Sequence, residues 1–182
     1  MIHKHSFRLV SHDPRRKLPE KITIGRGQEG LPEEIILTLL GYLVLFNQRL
    51  EIGGRLISEE MPYVPALVEL DDSLRPLRWC EAGEIGFKHL KKIAIKAPDA
   101  EIWIFQASAA QAEETLQRIR KEGLRRDRYR LIGFESGMVE ELEGLLVARN
   151  DLTWIQGDME ALTLQFDFNG LWFEGGFMTL AY

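Results

Sequence analysis

The sequence predicts an α/β protein with a mixed β-sheet, helices that flank the sheet, and a C-terminal antiparallel β-ribbon. Two observations predict this class, and a third predicts the number of domains. Helix-like and strand-like segments alternate through most of the 182 residues. Apolar and polar residues alternate over positions 162–168, which is the period of a strand, and Asn169-Gly170 then gives a hairpin signal. No repeat or linker divides the chain, so we expect residues 1–182 to form a single domain.

The first half of the chain predicts short strands around one long apolar helix. The helix is predicted over 31–47, with Pro32 in its first turn, where the missing N–H costs nothing. Glu33 and Glu34 follow at the positive end of the helix dipole. Because the rest of this helix is apolar nearly all round, we expect it to lie in the core. The strands of this half are predicted at 7–10, 21–24, 67–70 and 77–82.

The second half predicts helices and strands in alternation. A helix is predicted at 84–96, and another opens at a capping box formed by Ser108 and Gln111 and stops at Gly123. The remaining elements are strands at 101–105 and 129–134, a helix at 139–149, and the ribbon strands at 162–168 and 171–173.

Composition excludes several classes of protein. Hydrophobic residues make up 45% of the chain and charged residues 28%, which excludes a disordered chain and a polytopic membrane protein. The longest apolar run is shorter than the roughly 20 residues that span a bilayer. The first residues, MIHKHSFRLV, lack the apolar core of a signal peptide. The single cysteine, Cys80, is expected in the core and forms no internal disulfide. We therefore expect a cytoplasmic protein with no membrane partner.

A glycine pattern before the long helix, Gly25-x-Gly27-x-x-Gly30, has the spacing of a dinucleotide-binding turn. The acidic residues in and after this turn oppose a pyrophosphate, which needs positive potential. The strand after the helix would also span little more than 50–52. We interpret the glycines as a turn that leads the chain into its central helix.

The element order over 31–105 is helix, strand, strand, helix, strand, which is the core of PD-(D/E)XK nucleases. Their chemistry needs a glutamate from the first helix, an acid on the first strand, and Glu-x-Lys on the next strand. The acids hold Mg²⁺, which polarises the phosphate, and the lysine orients or activates water. The candidates in this sequence are Glu33 or Glu29 on the helix side, and Glu81 in WCEAG.

The chain also resembles the YaeQ family, whose proteins have this nuclease-like fold. Four blocks carry the resemblance, and they occur in the family's order: GRGQEGLPEEIILTLLGYLVLFNQRLEIGGRL, RWCEAG with the following lysine-bearing helix, AEIWIF with the helix after it, and TLQFDFNGLWFEG. The resemblance implies a restriction-endonuclease-like fold and a metal site for Mg²⁺ or Mn²⁺. By position, Glu81 matches a family acid, Lys88 a basic residue that opens the next helix, and Glu33 an acid before the apolar helix. The resemblance thus implies Glu33 and Glu81 as metal ligands, and Glu81 and Lys88 as catalytic residues.

Two departures from the family pattern affect the implied site. Ala66 follows Pro65 where family members commonly have Pro-Asp, and Gly83 stands where a working nuclease has its lysine. Glu69 is an odd number of residues from Ala66 and points to the opposite face of a regular strand. Asp72 has the right parity but lies roughly 20 Å further along. Neither residue replaces the missing acid in a regular strand. A remaining hypothesis is that Lys88 swings into the vacated lysine position.

Two functions stay open. The first is a divergent nuclease-like protein with impaired activity, which hydrolyses phosphodiesters with a metal or binds nucleic acid through Lys88, Lys91 and Lys92. Charge favours such a surface, because residues 88–130 hold eleven basic and six acidic residues while the whole chain carries −5. Solvated helix faces would give the same pattern. The second function is a non-catalytic protein-interaction module that keeps the fold, with the aromatic segment 166–177 as interface or, alternatively, as core.

Overall fold

The structure, a computed structural model, describes residues 4–25, 30–54, 61 and 63–182. The helices in this part of the chain are α1 (Pro32–Leu45), α2 (Phe87–Lys96), α3 (Ala109–Lys121) and α4 (Met138–Leu145). The strands there are β1 (His5–Ser11), β2 (Lys21–Ile24), β3 (Leu50–Ile52), β4 (Leu67–Leu70), β5 (Pro76–Ala82), β6 (Glu101–Gln106), β7 (Tyr129–Phe134), β8 (Arg149–Asp158), β9 (Thr163–Phe168) and β10 (Leu171–Ala181).

These strands form one mixed sheet in the order β2-β1-β8-β9-β10-β7-β6-β5-β4-β3. Three neighbouring pairs are parallel, β1 with β8, β5 with β6, and β6 with β7. Strand β10 joins the two halves of the sheet, because residues 171–176 pair with β9 and residues 177–181 pair with β7. The predicted α/β class, mixed sheet and C-terminal antiparallel pairing are confirmed. Asn169 and Gly170 turn the ribbon, both with positive φ.

Helix α1 packs on one face of the sheet and is buried from Ile35 to its end. It contacts strands of both halves of the sheet as well as α4. Gly41 permits this close packing, because a Cβ atom at that position would overlap the ring of Phe105. The predicted core position of this helix is confirmed, and Pro32 opens it.

Helices α2 and α3 cover the opposite face of β5, β6 and β7. Leu90 of α2 and Leu116 of α3 pack in a cluster with Trp79, Ile102 and Ile104. The alternate strand residues belong to the cluster around α1. The sheet is therefore covered on both faces at its parallel strands, which is usual for such strands.

The ends of α2 and α3 are fixed by side chains. Ser108 Oγ accepts a hydrogen bond from Gln111 N at 3.2 Å, as the capping box predicts. Gln111 Oε1 accepts in return from Ala107 N at 3.1 Å, one residue before the cap. At the C-terminal end of α2, the buried Arg128 donates to the carbonyl of Ala94 at 2.9 Å. It also donates to the carbonyl of Ala100, just before β6, at 3.2 Å. This guanidinium satisfies carbonyl groups that a helix end leaves unpaired.

One predicted helix boundary is wrong, and one strand was not predicted. The helix predicted over 139–149 ends at Leu145, and β8 begins at Arg149. In β8, Leu152 and Trp154 are buried while Asp151 is exposed, which is the two-residue period of a strand. The pairing of β8 with β1 is non-local, and it places Arg149 beside Ser6.

No helix in the described ranges has the length and apolarity to cross a bilayer.

Candidate functional site

Glu81 lies near the end of β5 and is 3% exposed. Trp79 Nε1 donates a hydrogen bond to Glu81 Oε1 at 2.7 Å. His89 Nε2, from the first turn of α2, lies 3.4 Å from the same oxygen, and protonation of His89 makes this contact an ion pair. Tyr63 stacks on the His89 ring with 3.6 Å between ring centres. The carboxylate of Glu81 therefore faces α2.

Glu33 and Glu34 lie on the other side of β5, at the start of α1. Gly83, with φ of +80°, turns the chain toward them: a Cβ atom there would lie 3.3 Å from Glu34 Cγ and 3.8 Å from Glu33 Oε1. Gly83, which the predicted nuclease-like core assigns to the lysine position, thus lies beside these two acids. Burial raises the pKa of Glu143 on α4, and the charges of Glu33 and Glu140 add to that shift. Glu33 therefore lies among like charges.

A cleft of about 700 Å³ opens beside these acids, at the ends of β5 and β6. Gln106 on its wall donates to the carbonyl of Gly83 at 2.7 Å and fixes the turn after β5. The other charged or amide side chains that line the cleft are Glu33, Glu34, Glu84, Gln111, Glu114 and Arg118. With four carboxylates and one guanidinium, the cleft is acidic and repels a phosphodiester unless a cation accompanies it.

The three lysines predicted to contact nucleic acid are exposed on α2. Lys92 Nζ lies 5.9 Å from the ring centre of Tyr63, which is a cation–π contact. Neither Lys88 nor Lys91 nor Lys92 forms an ion pair in the parts of the chain that the structure describes. These three charges are therefore available to an external anion.

The residues predicted to hold a metal do not come together in the described structure. Glu33 and Glu81 lie on opposite sides of β5, and Ala66, at the place of the missing acid, is buried. In the described ranges, no three His, Cys, Asp or Glu side chains form a group that could hold a metal. The described residues thus do not fit Mg²⁺ or Mn²⁺, and the metal site stays a prediction. Glu29, the alternative to Glu33, lies outside the described residues.

The two acids weighed as replacements at Ala66 make contacts elsewhere. Glu69 accepts a hydrogen bond from Asn47 Nδ2 at 3.2 Å and lies 3.5 Å from Arg78 Nη1. Asp72 pairs with Arg49 at 2.8 Å. Both acids are therefore held by structural partners away from Glu81.

Two further sequence features have outcomes in the structure. Cys80 is fully buried in the core around α1, and burial raises the pKa of its thiol, as expected for a core residue. The centre of the glycine pattern, residues 26–29, lies outside the described residues.

Sequence reasoning found part of the Glu81 environment. Strand alternation predicts that Trp79 shares the side of Glu81 while Cys80 faces away, and the bond from Trp79 to Glu81 confirms it. His89 was missed. The sequence feature that predicts the contact of His89 with Glu81 is the short connection after β5. Because this connection is short, the first turn of the next helix lies over the end of the strand.

The comparisons with known proteins rest on structure. No family model matches the chain, and no curated protein matches it. A solved YaeQ protein from Xanthomonas axonopodis pv. citri is 18% identical with a TM-score of 0.67, over 100% of this chain and 99% of that one. A YaeQ protein from Pseudomonas syringae is also 18% identical with a TM-score of 0.71, over 100% and 96%. The chain has the YaeQ fold. The predicted resemblance is confirmed at the level of the fold, and the similarity covers 100% of this chain.

Proposed function

We propose that this chain is a YaeQ-family protein that binds nucleic acid through α2 and in which metal-dependent phosphodiester hydrolysis is impaired. The observation that carries the proposal is the exposed triad of Lys88, Lys91 and Lys92, which lie three and four residues apart on one helix face. The proposal includes a restriction-endonuclease-like core, a single domain over residues 1–182, and a cytoplasmic location.

Two observations and one general property of Mg²⁺ sites support impaired hydrolysis. Ala66 and Gly83 lack the carboxylate and the amine that the chemistry needs. Glu81 is buried against Trp79 and faces away from Glu33. Hard cations such as Mg²⁺ depend on the number and charge of their oxygen ligands, so a site without its first-strand acid binds them weakly.

Binding of a labelled oligonucleotide, followed by fluorescence anisotropy at several salt concentrations, tests the α2 surface. In the triple variant Lys88→Gln/Lys91→Gln/Lys92→Gln, we expect weaker binding and a loss of about 2 from the slope of log K against log salt, since each phosphate contact contributes about 0.7. The matched control Lys17→Gln/Lys21→Gln/Arg149→Gln removes three exposed charges elsewhere. The lysine face of α2 would not be the binding surface if the two triple variants had equal affinities and equal salt slopes. Weak binding that does not respond to salt would also count against it.

Hydrolysis is tested on the same oligonucleotides with Mg²⁺ or Mn²⁺. We expect no metal-dependent cleavage by the wild type above the level of Glu81→Ala. Cleavage that depends on the metal and disappears in Glu81→Ala would overturn the impairment. Loss of that cleavage in Lys88→Ala as well would give Lys88 the catalytic role that its sequence position predicts.

A second candidate function is a protein-interaction module. Most of the aromatic segment 166–177 packs in the core, but Trp172 is 54% exposed and its neighbour Leu171 is 52% exposed. Exposed tryptophan side chains are frequent at protein interfaces. An identified partner that binds Glu81→Ala/Lys88→Ala normally and loses affinity for Trp172→Ser would favour this function over the first.

A further inference from the structure

A second basic surface lies where α3 ends and the chain turns into β7. The guanidinium carbons of Arg120 and Arg126 lie 5.9 Å and 5.8 Å from the centre of the Tyr182 ring. The backbone of Tyr182 is itself fixed, because its carbonyl accepts from Arg128 N at 3.0 Å and from Tyr129 N at 2.8 Å. One ring thus positions two guanidinium groups that are separated in sequence.

The charges of this surface are not neutralised by their own chain. Arg120, Arg126 and their basic neighbours Lys121 and Arg125 are all exposed. None of the four forms an ion pair with a carboxylate anywhere in the ranges that the structure covers. The exposed acids Glu122 and Asp127 lie in the same segment and leave an excess of two positive charges. In a chain with net charge −5, this local excess is a distinct feature.

The segment that follows α3 is fixed to the end of α2. Arg128, two residues after Arg126, donates to Ala94 O in the last turns of α2 and to Ala100 O just before β6. This holds the segment that follows α3 against the last turn of α2, where Lys96 is exposed. The arginines after α3 and the lysines of α2 therefore lie on the same side of the sheet, and Lys96 is the last exposed cation of α2.

We propose that the arginine–tyrosine patch, formed by Arg120, Lys121, Arg125, Arg126 and Tyr182, makes the proposed nucleic-acid surface selective for single strands. This inference rests on the function proposed above. Guanidinium groups bind phosphate in a bidentate manner, and both guanidinium planes and aromatic rings stack on nucleobases. In a duplex the base faces are covered by neighbouring base pairs, so only a single strand offers them to this patch. An acidic peptide would meet the charges but would gain nothing from the stacking groups.

The test compares a single-stranded oligo-dT, an oligo-U of the same length, and a duplex by anisotropy. We expect the wild type to bind either single strand at least about tenfold more tightly than the duplex. In Arg120→Gln/Arg126→Gln, the affinity for single strands falls about tenfold while the affinity for the duplex falls less, since base stacking contributes to single-strand binding alone. Tyr182→Leu keeps both charges and lowers single-strand affinity about threefold, because the guanidinium groups lose their common support. The matched control, Lys21→Gln/Arg149→Gln, removes two exposed charges on β2 and β8 and retains the preference for single strands.

Each outcome has a separate meaning. Absence of binding by the wild type to all three oligonucleotides would overturn the proposed function and this inference together. This inference alone would be overturned by a different result. The lysine triple variant would lose affinity as expected, but Arg120→Gln/Arg126→Gln would bind single strands as tightly as its control Lys21→Gln/Arg149→Gln does. Equal wild-type affinity for duplex and single strands would also overturn it, as would tighter binding of an oligo-glutamate peptide than of either single strand.

Discussion

Helix α1 buries eleven of its fourteen residues, whereas α2, on the opposite face of the same strands, buries two of its ten. Strands from both halves of the sheet and α4 surround α1. Helix α2 covers its side of the sheet with Leu90 and Ile93 and presents lysines on its remaining surface. The difference indicates that the α1 side supplies the tightly packed core, while the α2 side leaves charged groups available for contacts.

The two glutamates predicted to share one metal fall on different sides of this division. Glu33 belongs to the α1 side, where Glu143 on α4 lies close enough for its pKa to respond to Glu33. Glu81 belongs to the α2 side, where Trp79 and His89 contact its carboxylate. A buried carboxylate with such contacts is expected to be a structural group as well as a candidate site.

The largest effect is expected where α1 meets the sheet. Gly41→Ala would place a methyl group against the fully buried ring of Phe105, and overpacking of this kind costs about 3 kcal/mol. We expect urea unfolding to show that loss, with partial recovery in Gly41→Ala/Phe105→Leu. The control on the α2 side is Gly86→Ala, since nothing lies within 4 Å of a Cβ atom there. Similar small losses in both single variants would show that α1 is no more tightly packed than α2.

A smaller loss is expected at Glu81. In Glu81→Ala, the buried Trp79 N–H loses its acceptor, which costs about 2 kcal/mol in the free energy of unfolding. Glu81→Gln keeps an acceptor oxygen of similar reach, so we expect at most about half of that loss. Glu33→Ala, at a half-buried helix start, should change stability by less than about 0.5 kcal/mol. Urea unfolding of the three variants checks the order, and equal losses in Glu33→Ala and Glu81→Ala would remove the distinction between the two sides.

The sequence predicted the individual helices and strands better than it predicted which of them pair or pack together. The strands predicted at 21–24, 67–70 and 129–134 have those bounds in the structure, because turn residues and apolar alternation mark both ends. Strand β8 was missed because Asn150 and Asp151 are typical turn residues, and the pairing that stabilises the strand comes from β1, far away in the sequence.

The candidate site shows the same limit. Alternation along β5 predicts which side chains share a face, but it does not determine which helix covers that face. The left-handed φ at Gly83 ends the alternation and places this position beside Glu33 and Glu34. Glu33 and Glu81 thus separate for a tertiary reason that sequence spacing does not contain.

The smallest effect is expected on the acidic side, at Glu143. Burial and the charges of Glu33 and Glu140 raise the pKa of Glu143 in the folded protein. Between the ordinary pKa of the unfolded carboxyl and the raised pKa of the folded one, the folded state still holds a proton that the unfolded state has released. The free energy of unfolding therefore falls as pH rises through this interval, and the loss persists at neutral pH. Glu143→Gln should therefore stabilise the protein at pH 7 by about 0.3 kcal/mol or less, since the side chain is only half-buried and solvent screens the charges. Unfolding at about pH 7 and about pH 3 checks this, because the gain vanishes once the carboxyl is protonated in both states. A gain that is unchanged at low pH, or one matched by Glu122→Gln on the α3 side, would show that the acids around α1 do not act on Glu143.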